Sequence, residues 1–382
     1  MSAEAVLLIT TSYPQTDDGS EAAGAFVADL AAELARRRPV RVVAPGRTEA
    51  VLAAREGVEV RTFAAPGRPL SLLSPGNPGH WLSIASTLAS LRRQSLRAAE
   101  DGQLRHSLAF WALPSGWAAR SVQRKHAVPY SVWALGSDIW SLGRLPIVRG
   151  VLGGVIRGAT HRYADGVGLA REAERVAGTA VEFLPSSRIR SGRRIRPLND
   201  APPYRLMFLG RWHENKGVDL LLQALGMLDE ETWSRIGAVH IAGGGPLEER
   251  VRTGCECLVA QGRPVRLSGF LGRIEAEHML AEADYLLLPS RVESIPLVFS
   301  DALKFGLPII ANPVGDLPDL LTPAEGFIAE AATAEAFARS ISIAMHASAS
   351  SYAPAITELA RTFSLPDVAA RLETTFRSPD AT

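Results

Sequence analysis

The chain has 382 residues, 47% of them hydrophobic, which predicts two domains of ordinary size and excludes disorder as the default. Its two cysteines, Cys255 and Cys257, are too few for a disulfide framework or a zinc site, and this fits a reducing cytoplasm. The opening residues lack the basic leader and cleavage site of a signal peptide, and the longest uncharged run is interrupted by proline and glycine. We therefore expect a cytoplasmic protein that is soluble or peripheral.

The charge is unevenly distributed. Residues 1–200 contain 26 Arg and Lys against 17 Asp and Glu, whereas residues 201–382 contain 15 against 23. A basic half predicts contact with an anionic surface or acceptor, and the inner face of a membrane is one such surface. Nucleic acid is a weaker candidate, because no basic recognition helix, finger or aromatic-and-basic sheet motif is present.

The first half begins with a strand, a loop and a helix. Ala5–Thr10 predicts a buried strand, Phe26, Leu30 and Leu34 recur at helical spacing, and Val40–Ala44 predicts a second strand. This β–α–β order is typical of a doubly wound parallel sheet. Gly24, just before the helix, either lets a ligand approach the backbone or permits close packing, and the sequence leaves both open.

Two later turns of this half carry polar or aromatic candidates. Trp111 lies in the loop 110–116, and Ser137 and Asp138 follow the predicted strand Pro129–Ala134. An aspartate in a Gly-Ser turn either caps a helix or binds a polar ligand, and both readings remain. Trp81–Ala98 predicts an amphipathic helix, for which docking on the domain is favoured over lying on a membrane.

The basic, proline-containing segment 186–203 is the best linker candidate, and a second α/β domain follows it. Its strand Leu206–Leu209 leads into a glycine-bracketed loop, Gly210–Gly217, that contains Arg211 and Lys216. Two cations five residues apart at the end of a strand suit a diphosphate. Lysine is rare in this chain, which strengthens the interpretation of Lys216 as functional; the three lysines are Lys125, Lys216 and Lys304.

The stretch Leu286–Ala311 predicts a buried strand, a polar loop and a helix that starts with Pro296 in its first position. Such a turn presents free N–H groups to an anion, usually phosphate. Glu293 and Asp301 would repel phosphate and more plausibly accept hydrogen bonds from hydroxyl groups. A ligand with a phosphate centre and hydroxyl-rich ends is a sugar nucleotide. The alternative is an ordinary surface loop with solvated acids.

The second half resembles the donor domain of the GT-B-fold retaining glycosyltransferases, the family four-like or group 1 enzymes. The first half resembles them less sharply. The matching elements are Gly210-Arg211…Lys216-Gly217, Gly245-Pro246-Leu247, Gly269-Phe270, Leu288-Pro289-Ser290, Glu293 with Asp301, Gly306…Pro308, and in the first half Tyr13-Pro14, Gly24…Phe26, Trp111–Gly116 and Gly136-Ser137-Asp138.

The resemblance implies an α/β fold of the GT-B type, with two Rossmann-like doubly wound parallel-sheet domains facing a central cleft. It implies an acceptor-binding domain over residues 1–195, a donor-binding domain over 196–360, and a helix over 361–382 that packs back on the first domain. It further implies transfer of a hexosyl group from a UDP- or GDP-linked sugar to a glycan or lipid-linked acceptor, without a metal or a separate cofactor. The absence of an Asp-x-Asp motif agrees with this.

The resemblance also assigns roles to residues. Arg211, Lys216 and Glu293 are the expected catalytic residues, the two cations because they would stabilise the charge that develops on the leaving diphosphate. The expected acceptor-side residues are Trp111, Ser137 and Asp138. The expected donor-binding residues are Gly24, Gly210, Gly245, Phe270, Ser294, Ile295, Leu297, Val298 and Asp301.

The chain departs from the family pattern at three positions. Asp301 stands where the family has glutamate, one methylene longer, and its reach to the ribose is in question. Phe110 and Leu135 stand where histidines are frequent. These departures motivate one alternative, a non-catalytic GT-B protein that binds a glycan or a protein partner. A weaker alternative is a sugar-nucleotide epimerase, for which no acid/base pair is identifiable.

Overall fold

The computed structural model describes residues 4–14, 22–52, 55–65, 70, 73, 76–190 and 192–377. These residues form two compact units. The first contains the described residues up to residue 186 together with residues 365–377, and the second contains residues 187–190 and 192–364. Residues 378–382, the end of the predicted C-terminal segment, lie outside the described part.

The first unit is built on an eight-stranded sheet in the order β3-β4-β2-β1-β5-β6-β7-β8. Neighbouring strands are parallel except β3 and β4. All five residues of β1 are buried, as expected of a strand covered on both faces of a parallel sheet. The strands are β1 (Ala5–Ile9), β2 (Val40–Gly46), β3 (Ala50–Val51), β4 (Val58–Ala64), β5 (Leu104–Phe110), β6 (Tyr130–Ala134), β7 (His161–Ala164) and β8 (Glu182–Phe183).

Helices connect these strands, and buried side chains from several of them form the apolar core together with the sheet. The chain runs outward from β1 to β2 and β4, and then returns to β5 on the other side of β1. The loops after β1 and β5 therefore diverge, which makes this the switch point of the first sheet. The helices are α1 (Ala22–Ala35), α2 (Trp81–Arg97), α3 (Ser115–His126), α4 (Ser137–Trp140), α5 (Pro146–Arg157) and α6 (Val167–Ala177).

The second unit contains an all-parallel six-stranded sheet in the order β11-β10-β9-β12-β13-β14. Its strands are β9 (Tyr204–Arg211), β10 (Ile236–Gly244), β11 (Val265–Ser268), β12 (Tyr285–Leu288), β13 (Ile309–Ala311) and β14 (Gly326–Ile328). Its helices are α7 (Val218–Gly226), α8 (Glu230–Ser234), α9 (Glu248–Ala260), α10 (Arg273–Glu282), α11 (Leu297–Lys304), α12 (Leu317–Leu320), α13 (Ala334–Met345) and α14 (Ala353–Thr362).

The strand order reverses between β9 and β12. From β9 the chain builds outward through β10 and β11, then crosses back to place β12 on the opposite side of β9. The loops after β9 and β12 therefore leave in different directions and open a crevice at the carboxyl ends of the two strands. Ligands of doubly wound folds bind at this point.

The last helix, α15 (Leu365–Arg377), belongs to the first unit. Arg38, which follows α1, donates to the Glu373 carboxylate at 2.6 and 2.9 Å, and the pair is nearly buried. The Phe376 ring lies 5.0 Å from the ring of His106 on β5. An amphipathic helix with Val368, Leu372 and Phe376 at core spacing thus covers the sheet from the far end of the chain.

Candidate functional site

The two loops at the switch point of the second sheet carry the predicted catalytic residues. Arg211 ends β9, and Lys216 ends a 3-10 turn (Glu214–Lys216) just before α7. Glu293 lies in the loop after β12, and its Oε2 is ion-paired with Lys216 Nζ. The structure therefore brings Lys216 and Glu293 together from residues 77 positions apart. Arg211 is exposed at the end of its strand, and among the described residues it forms no salt bridge.

Gly217 allows the loop after β9 to pack closely against the loop after β12. It has a φ of +67°, and a Cβ atom there would lie 1.9 Å from the Pro289 carbonyl oxygen. Only glycine combines this left-handed backbone with so close a contact. The turn that holds Lys216 can therefore lie directly against the end of β12.

Arg291 joins the same two loops through its side chain and its backbone. Its guanidinium donates to both carboxylate oxygens of Asp219, at 2.7 and 2.9 Å, and to the Glu214 carbonyl at 2.7 Å. Its backbone N–H donates to the Asn215 carbonyl at 2.8 Å. Burial raises the pKa of Asp219, but the hydrogen bond and charge of Arg291 outweigh it and the pKa is lowered. Sequence reasoning missed this bridge, since no local pattern links Arg291 to Asp219.

The polar loop after β12 leads into α11, which begins at Leu297. The expectation that Pro296 is the first helical residue is wrong by one position: Pro296 is extended, with a ψ of 137°, and precedes the helix. In the first turn of a helix the N–H groups lack intrahelical acceptors, which leaves those of Leu297 and Val298 available to a ligand. Ser294 is buried, and its Oγ has no partner among the described residues.

A third loop, after β13, packs against the loop between β12 and α11. Gly315 packs so closely that a Cβ atom would lie 2.3 Å from the Glu293 carbonyl oxygen and 2.4 Å from that of Ser294. The Asp316 N–H donates to the Ser294 carbonyl at 3.3 Å. Asn312 donates through Nδ2 to the Pro289 carbonyl at 2.9 Å. Sequence reasoning assigned no role to Asn312 or Gly315, although a glycine after a strand end was the available signal.

A cavity of about 240 Å³ lies beside these loops, over the carboxyl ends of β10 and β11. The Phe270 ring, 45% exposed, lies against Gly244. Trp212 is buried, yet its indole Nε1–H has no partner among the described residues. The lining includes Trp212, Gly243, Gly244, Glu248, Arg252 and Phe270. Of the predicted donor-binding glycines, Gly210 is the penultimate residue of β9 and pairs with Gly243, and Gly245 packs against the Trp212 backbone.

Asp301 occupies a different environment from the one expected. It lies on α11, is fully buried, and its carboxylate is ion-paired with Arg188 and Arg190. Burial raises the pKa of Asp301, but the two guanidinium charges outweigh it and the pKa is lowered. One of its oxygens, Oδ1, has no hydrogen-bond partner among the described residues. Contact with a ribose therefore remains a prediction, and the observed role of Asp301 is to hold two arginines.

Those arginines belong to the segment proposed as a linker. Residues 187–190 and 192–199, here called the arginine strap, lie along the second unit. Arg194 donates to the Ala283 carbonyl at 2.7 Å and to the Phe305 carbonyl at 3.2 Å. Arg196 is paired with the buried Asp284 at 2.7 Å. The basic composition read from the sequence thus serves to fasten the segment to buried carboxylates and to carbonyls at helix ends.

The predicted acceptor-side residues lie in the first unit, at the carboxyl ends of β5 and β6. Asp138 is buried, and its carboxylate accepts hydrogen bonds from the N–H groups of Ala112 at 2.6 Å, Ile139 at 3.2 Å and Leu135 at 3.3 Å. It thereby ties the turn of α4 to the residue after Trp111. Burial raises the pKa of Asp138 to about 6, against the opposing effect of these N–H groups. Of its neighbours, Ser137 is exposed and Trp111 is half-buried.

In the first unit, Gly24 is explained by close packing and His106 is a buried residue of the sheet. Gly24 lies on α1, and a Cβ atom there would be 2.5 Å from the Tyr13 backbone nitrogen, so close packing alone accounts for the glycine. His106 is buried on β5, where its Nε2 lies 2.8 Å from Ser131 Oγ. Burial lowers the pKa of His106 to about 3, so the ring is neutral near pH 7. Ligand contact by Gly24 stays a prediction.

In the described part of the chain, no group of three or more His, Cys, Asp or Glu side chains is arranged to hold a metal ion. None of the helices described there combines the length and the apolar character needed to cross a membrane.

Comparison with known proteins identifies the second unit. Residues 203–346 match the model of the family described as "Glycosyl transferases group 1". The matched segment covers most of the second unit. It contains both switch-point loops, with Arg211, Lys216, Glu293 and Asp301, so the resemblance seen in the sequence is confirmed.

Individual curated proteins resemble the same part of this chain. The amylovoran biosynthesis glycosyltransferase AmsK of Erwinia amylovora is 30% identical over 146 residues, which are 36% of this chain and 34% of AmsK. The chain thus spans about a third of the length of the first curated relatives that it matches.

Solved structures extend the likeness in fold. The sucrose-phosphate synthase of Thermosynechococcus elongatus superposes with a TM-score of 0.74 at 16% identity, covering 98% of each chain. HepE of Anabaena, solved in complex with UDP and glucose, gives a TM-score of 0.67 at 14% identity and covers 97% of this chain and 99% of HepE. The fold class expected from the sequence, α/β of the GT-B type with two doubly wound parallel sheets, is confirmed.

Proposed function

We propose that this protein is a retaining glycosyltransferase that moves a hexosyl group from a nucleotide diphosphate sugar to a glycan or lipid-linked acceptor in polysaccharide or glycolipid synthesis. The observation that carries the proposal is the Lys216–Glu293 pair at the switch point of a group 1 glycosyl transferase domain. It places a cation and a carboxylate side by side where a ligand with both phosphate and hydroxyl groups would bind.

In this proposal the diphosphate lies against the start of α11. The free N–H groups of Leu297 and Val298 and the positive end of the helix dipole favour an anion there. Arg211 and Lys216 neutralise the charge that grows on the leaving phosphate as the bond to the anomeric carbon breaks. Lys216 must then exchange Glu293 for phosphate, and Glu293 becomes available to accept hydrogen bonds from sugar hydroxyls.

Bond formation and proton transfer follow from the same arrangement. The acceptor oxygen forms the new bond to the anomeric carbon on the face that the phosphate leaves, and the departing phosphate oxygen takes the acceptor's proton. No histidine is needed at Phe110 or Leu135 for this step. Retention of configuration rests on the family resemblance and is tested by the anomeric configuration of the product.

The nucleobase is assigned to the cavity beside Phe270. The exposed Phe270 ring offers an aromatic face for stacking, and the unpartnered indole N–H of Trp212 offers a donor. HepE, a protein of the same fold, is solved in complex with UDP and glucose. A UDP-linked donor is therefore the first to test, followed by a GDP-linked one.

The decisive experiment is calorimetric titration with UDP, GDP, ADP, TDP and their sugar conjugates. We expect one nucleotide to bind, and binding to fall at least about tenfold in Lys216→Ala, because a charge-assisted contact to phosphate is lost. Lys125→Ala is the matched control, since Lys125 is exposed in the last turn of α3 in the first unit.

The results separate the proposal from its alternative. A nucleotide that binds wild type and Lys216→Ala equally would contradict the assigned site. If no nucleotide bound to the wild type, the non-catalytic alternative would be favoured. The supporting observation for that alternative is the ion pairing of Asp301 with two arginines.

Metal independence is a separate part of the proposal. Because Arg211 and Lys216 supply the positive charge that a divalent cation would otherwise provide, transfer should continue in excess EDTA. A loss of transfer that added Mg²⁺ or Mn²⁺ restores would overturn this part. The cytoplasmic location is likewise proposed, on the low cysteine content, and the contact with the inner membrane face is proposed on the charge of the first half.

A further inference from the structure

Trp111, the first residue after β5, has a backbone conformation that side chains of its size avoid. Its φ is +65°, in the left-handed region where glycine is the ordinary occupant. A bulky residue in this region is strained, and it persists only where the surrounding contacts hold it there. Such strain is concentrated at functional sites, so the placement of this side chain calls for a functional reason.

Hydrogen bonds on both sides hold Trp111 in this conformation. Its own N–H donates to the carbonyl of Trp133 in β6, at 2.9 Å. The N–H of the next residue, Ala112, donates to the Asp138 carboxylate at 2.6 Å. Asp138 is itself fixed, because it is buried and accepts hydrogen bonds from two further backbone N–H groups. A buried carboxylate thus helps to maintain the strain at Trp111.

The indole ring of Trp111 is not used to fill the core. The residues on either side, Phe110 and Ala112, are fully buried, whereas Trp111 is only half-buried. Phe110 packs with Phe26 and Trp133 at ring-centroid distances of 5.6 and 5.7 Å. In the described part of the chain, the Trp111 ring makes no aromatic contact and its indole N–H makes no hydrogen bond. The ring and its N–H are therefore available to a ligand.

The chemistry around Trp111 indicates the class of ligand. The residue lies where the loops after β1 and β5 diverge, which is the usual ligand position of a doubly wound sheet. Residues 107–119 and 130–137 contain no charged side chain, and the carboxylate of Asp138 is buried. These two segments therefore offer no cation to a phosphate, but the exposed Ser137 offers a hydroxyl. An uncharged ligand with both an apolar face and hydroxyl groups suits this surface, and a pyranose ring has both.

We infer that Trp111 is a stacking surface for one pyranose ring of an uncharged sugar, and that Asp138 is the positioning residue that holds it. The C–H face of the sugar packs on the indole, and its hydroxyl groups meet the indole N–H and the Ser137 hydroxyl. Among glycan and lipid-linked acceptors, this selects those whose accepting end is an uncharged pyranose. That the bound sugar is the acceptor of transfer rests on the proposed function, whereas its binding to the first unit does not.

The test is saturation-transfer NMR of the full chain with the methyl glycosides of glucose, galactose, mannose and N-acetylglucosamine. At least one should show transfer to its ring C–H protons. Its binding should weaken by about tenfold or more in Trp111→Gly, because the aromatic face is lost, and Trp111→Tyr should keep part of it. The matched control is Trp81→Ala, which removes a tryptophan that is 59% exposed at the start of α2 and should bind the glycoside like wild type.

Thermal unfolding separates a ligand surface from a packing residue. Glycine adopts a φ of +65° without strain, so Trp111→Gly should unfold within about 2 °C of wild type. Loss of a tryptophan that filled the core would instead lower the Tm by roughly 5 °C or more. A fall of that size together with lost sugar binding would make the loss a folding effect and would overturn the inference.

Asp138 is tested through the hydrogen bond to Ala112. Asp138→Ala removes the acceptor of that N–H and should weaken glycoside binding about fivefold, whereas Asp138→Asn keeps an oxygen there and should restore most of the affinity. Both are measured at a temperature at which circular dichroism shows the variants folded. The inference is overturned if no glycoside binds wild type, or if Trp111→Gly or Asp138→Ala binds the glycoside like wild type.

Nucleotide titration of the same variants keeps this inference apart from the proposed function. Trp111→Gly should bind nucleotide like wild type, and Lys216→Ala should bind the glycoside like wild type. Glycoside binding without nucleotide binding would contradict the proposed function and support the Trp111 site. Nucleotide binding without glycoside binding would overturn the Trp111 site alone.

Discussion

Arg291 and Asp219 form a bidentate ion pair that connects the loop carrying Glu293 to the helix that follows Lys216. The two N–O distances are 2.7 and 2.9 Å, and Asp219 is buried. A planar guanidinium that meets both carboxylate oxygens restricts orientation as well as distance. The pair therefore determines where Lys216 lies relative to Glu293.

Replacing Arg291 should weaken donor binding more than it weakens the fold. In Arg291→Met the Glu214 carbonyl loses its bond from Arg291, and Asp219 is left with the more distant guanidinium of Arg250, 3.8 Å away, so the Lys216 turn is held less firmly. We expect the Kd for the nucleotide to rise about tenfold, as the ordering of the loop then has to occur on binding. Calorimetry measures this.

The control for Arg291 is Arg263→Met, which removes another arginine–carboxylate pair of the second unit, with Glu230. Arg263→Met should leave nucleotide affinity unchanged. Arg291→Lys keeps the charge but cannot form the bidentate pair, so it should restore only part of the affinity. Equal affinities in all variants would show that the pair does not position Lys216.

Gly217→Ala should be far more damaging than an ordinary substitution of a left-handed glycine. The strained backbone alone costs about 1–2 kcal/mol, and the contact with the Pro289 carbonyl, 1.9 Å from the new Cβ, forces the two loops apart. We expect a lower free energy of unfolding and loss of nucleotide binding. Denaturant unfolding and calorimetry measure the two effects.

Gly262→Ala separates strain from contact. Gly262 has a φ of +78°, but nothing lies within 4 Å of a Cβ atom there. Gly262→Ala should lower the free energy of unfolding by the backbone cost alone, about 1–2 kcal/mol, and should bind nucleotide normally. Equal losses for Gly217→Ala and Gly262→Ala would mean that the approach to Pro289 is unimportant.

Asp301→Asn tests whether this residue holds the arginine strap or a ribose. Removing the carboxylate charge leaves Arg188 and Arg190 without their shared counterion, which costs about 3–5 kcal/mol for a buried pair. We expect a clear fall in the free energy of unfolding of the second unit, measured with denaturant. A stable variant that has lost only nucleotide affinity would instead support the ribose role.

Asp138 should make the stability of the first unit depend on pH. Its pKa is raised from 3.8 to about 6 in the folded state, so the folded state binds the proton more tightly than the unfolded state does. The stabilisation is complete below pH 3.8 and is lost as the pH rises through about 6. Relative to Asp138→Asn, wild type should lose on the order of 3 kcal/mol across this window.

Urea unfolding of both proteins between pH 4 and pH 7.5 checks this, because other titrating groups cancel in the difference. A difference that stays constant with pH would mean that Asp138 is ionised at ordinary carboxylate pKa in the fold. Ala112, whose N–H makes the shortest of the three bonds, would then be a stronger determinant than burial.

The local pattern of the chain determined the two doubly wound sheets. Apolar runs such as Ala5–Ile9 and Tyr285–Leu288 could be predicted as strands, and the segments between them as helices. This is possible because buried parallel strands and amphipathic helices have short, fixed periods of apolar residues. The candidate donor loops could be predicted for the same reason: Arg211 lies at the end of one strand, Lys216 follows that strand, and Glu293 follows another. The start of α11 was misplaced by one residue, since proline suits both positions.

Only the tertiary structure decided what these residues contact. Arg291 reaches Asp219 across 72 positions, and Asp301 meets Arg188 across 113, because crossovers in the sheet bring remote segments together. The sequence likewise could not show that the basic segment after Ser186 is fastened to buried carboxylates, or that Trp111 has a positive φ. Side-chain pairing and exposure depend on the packing of whole elements, and no local period encodes that packing.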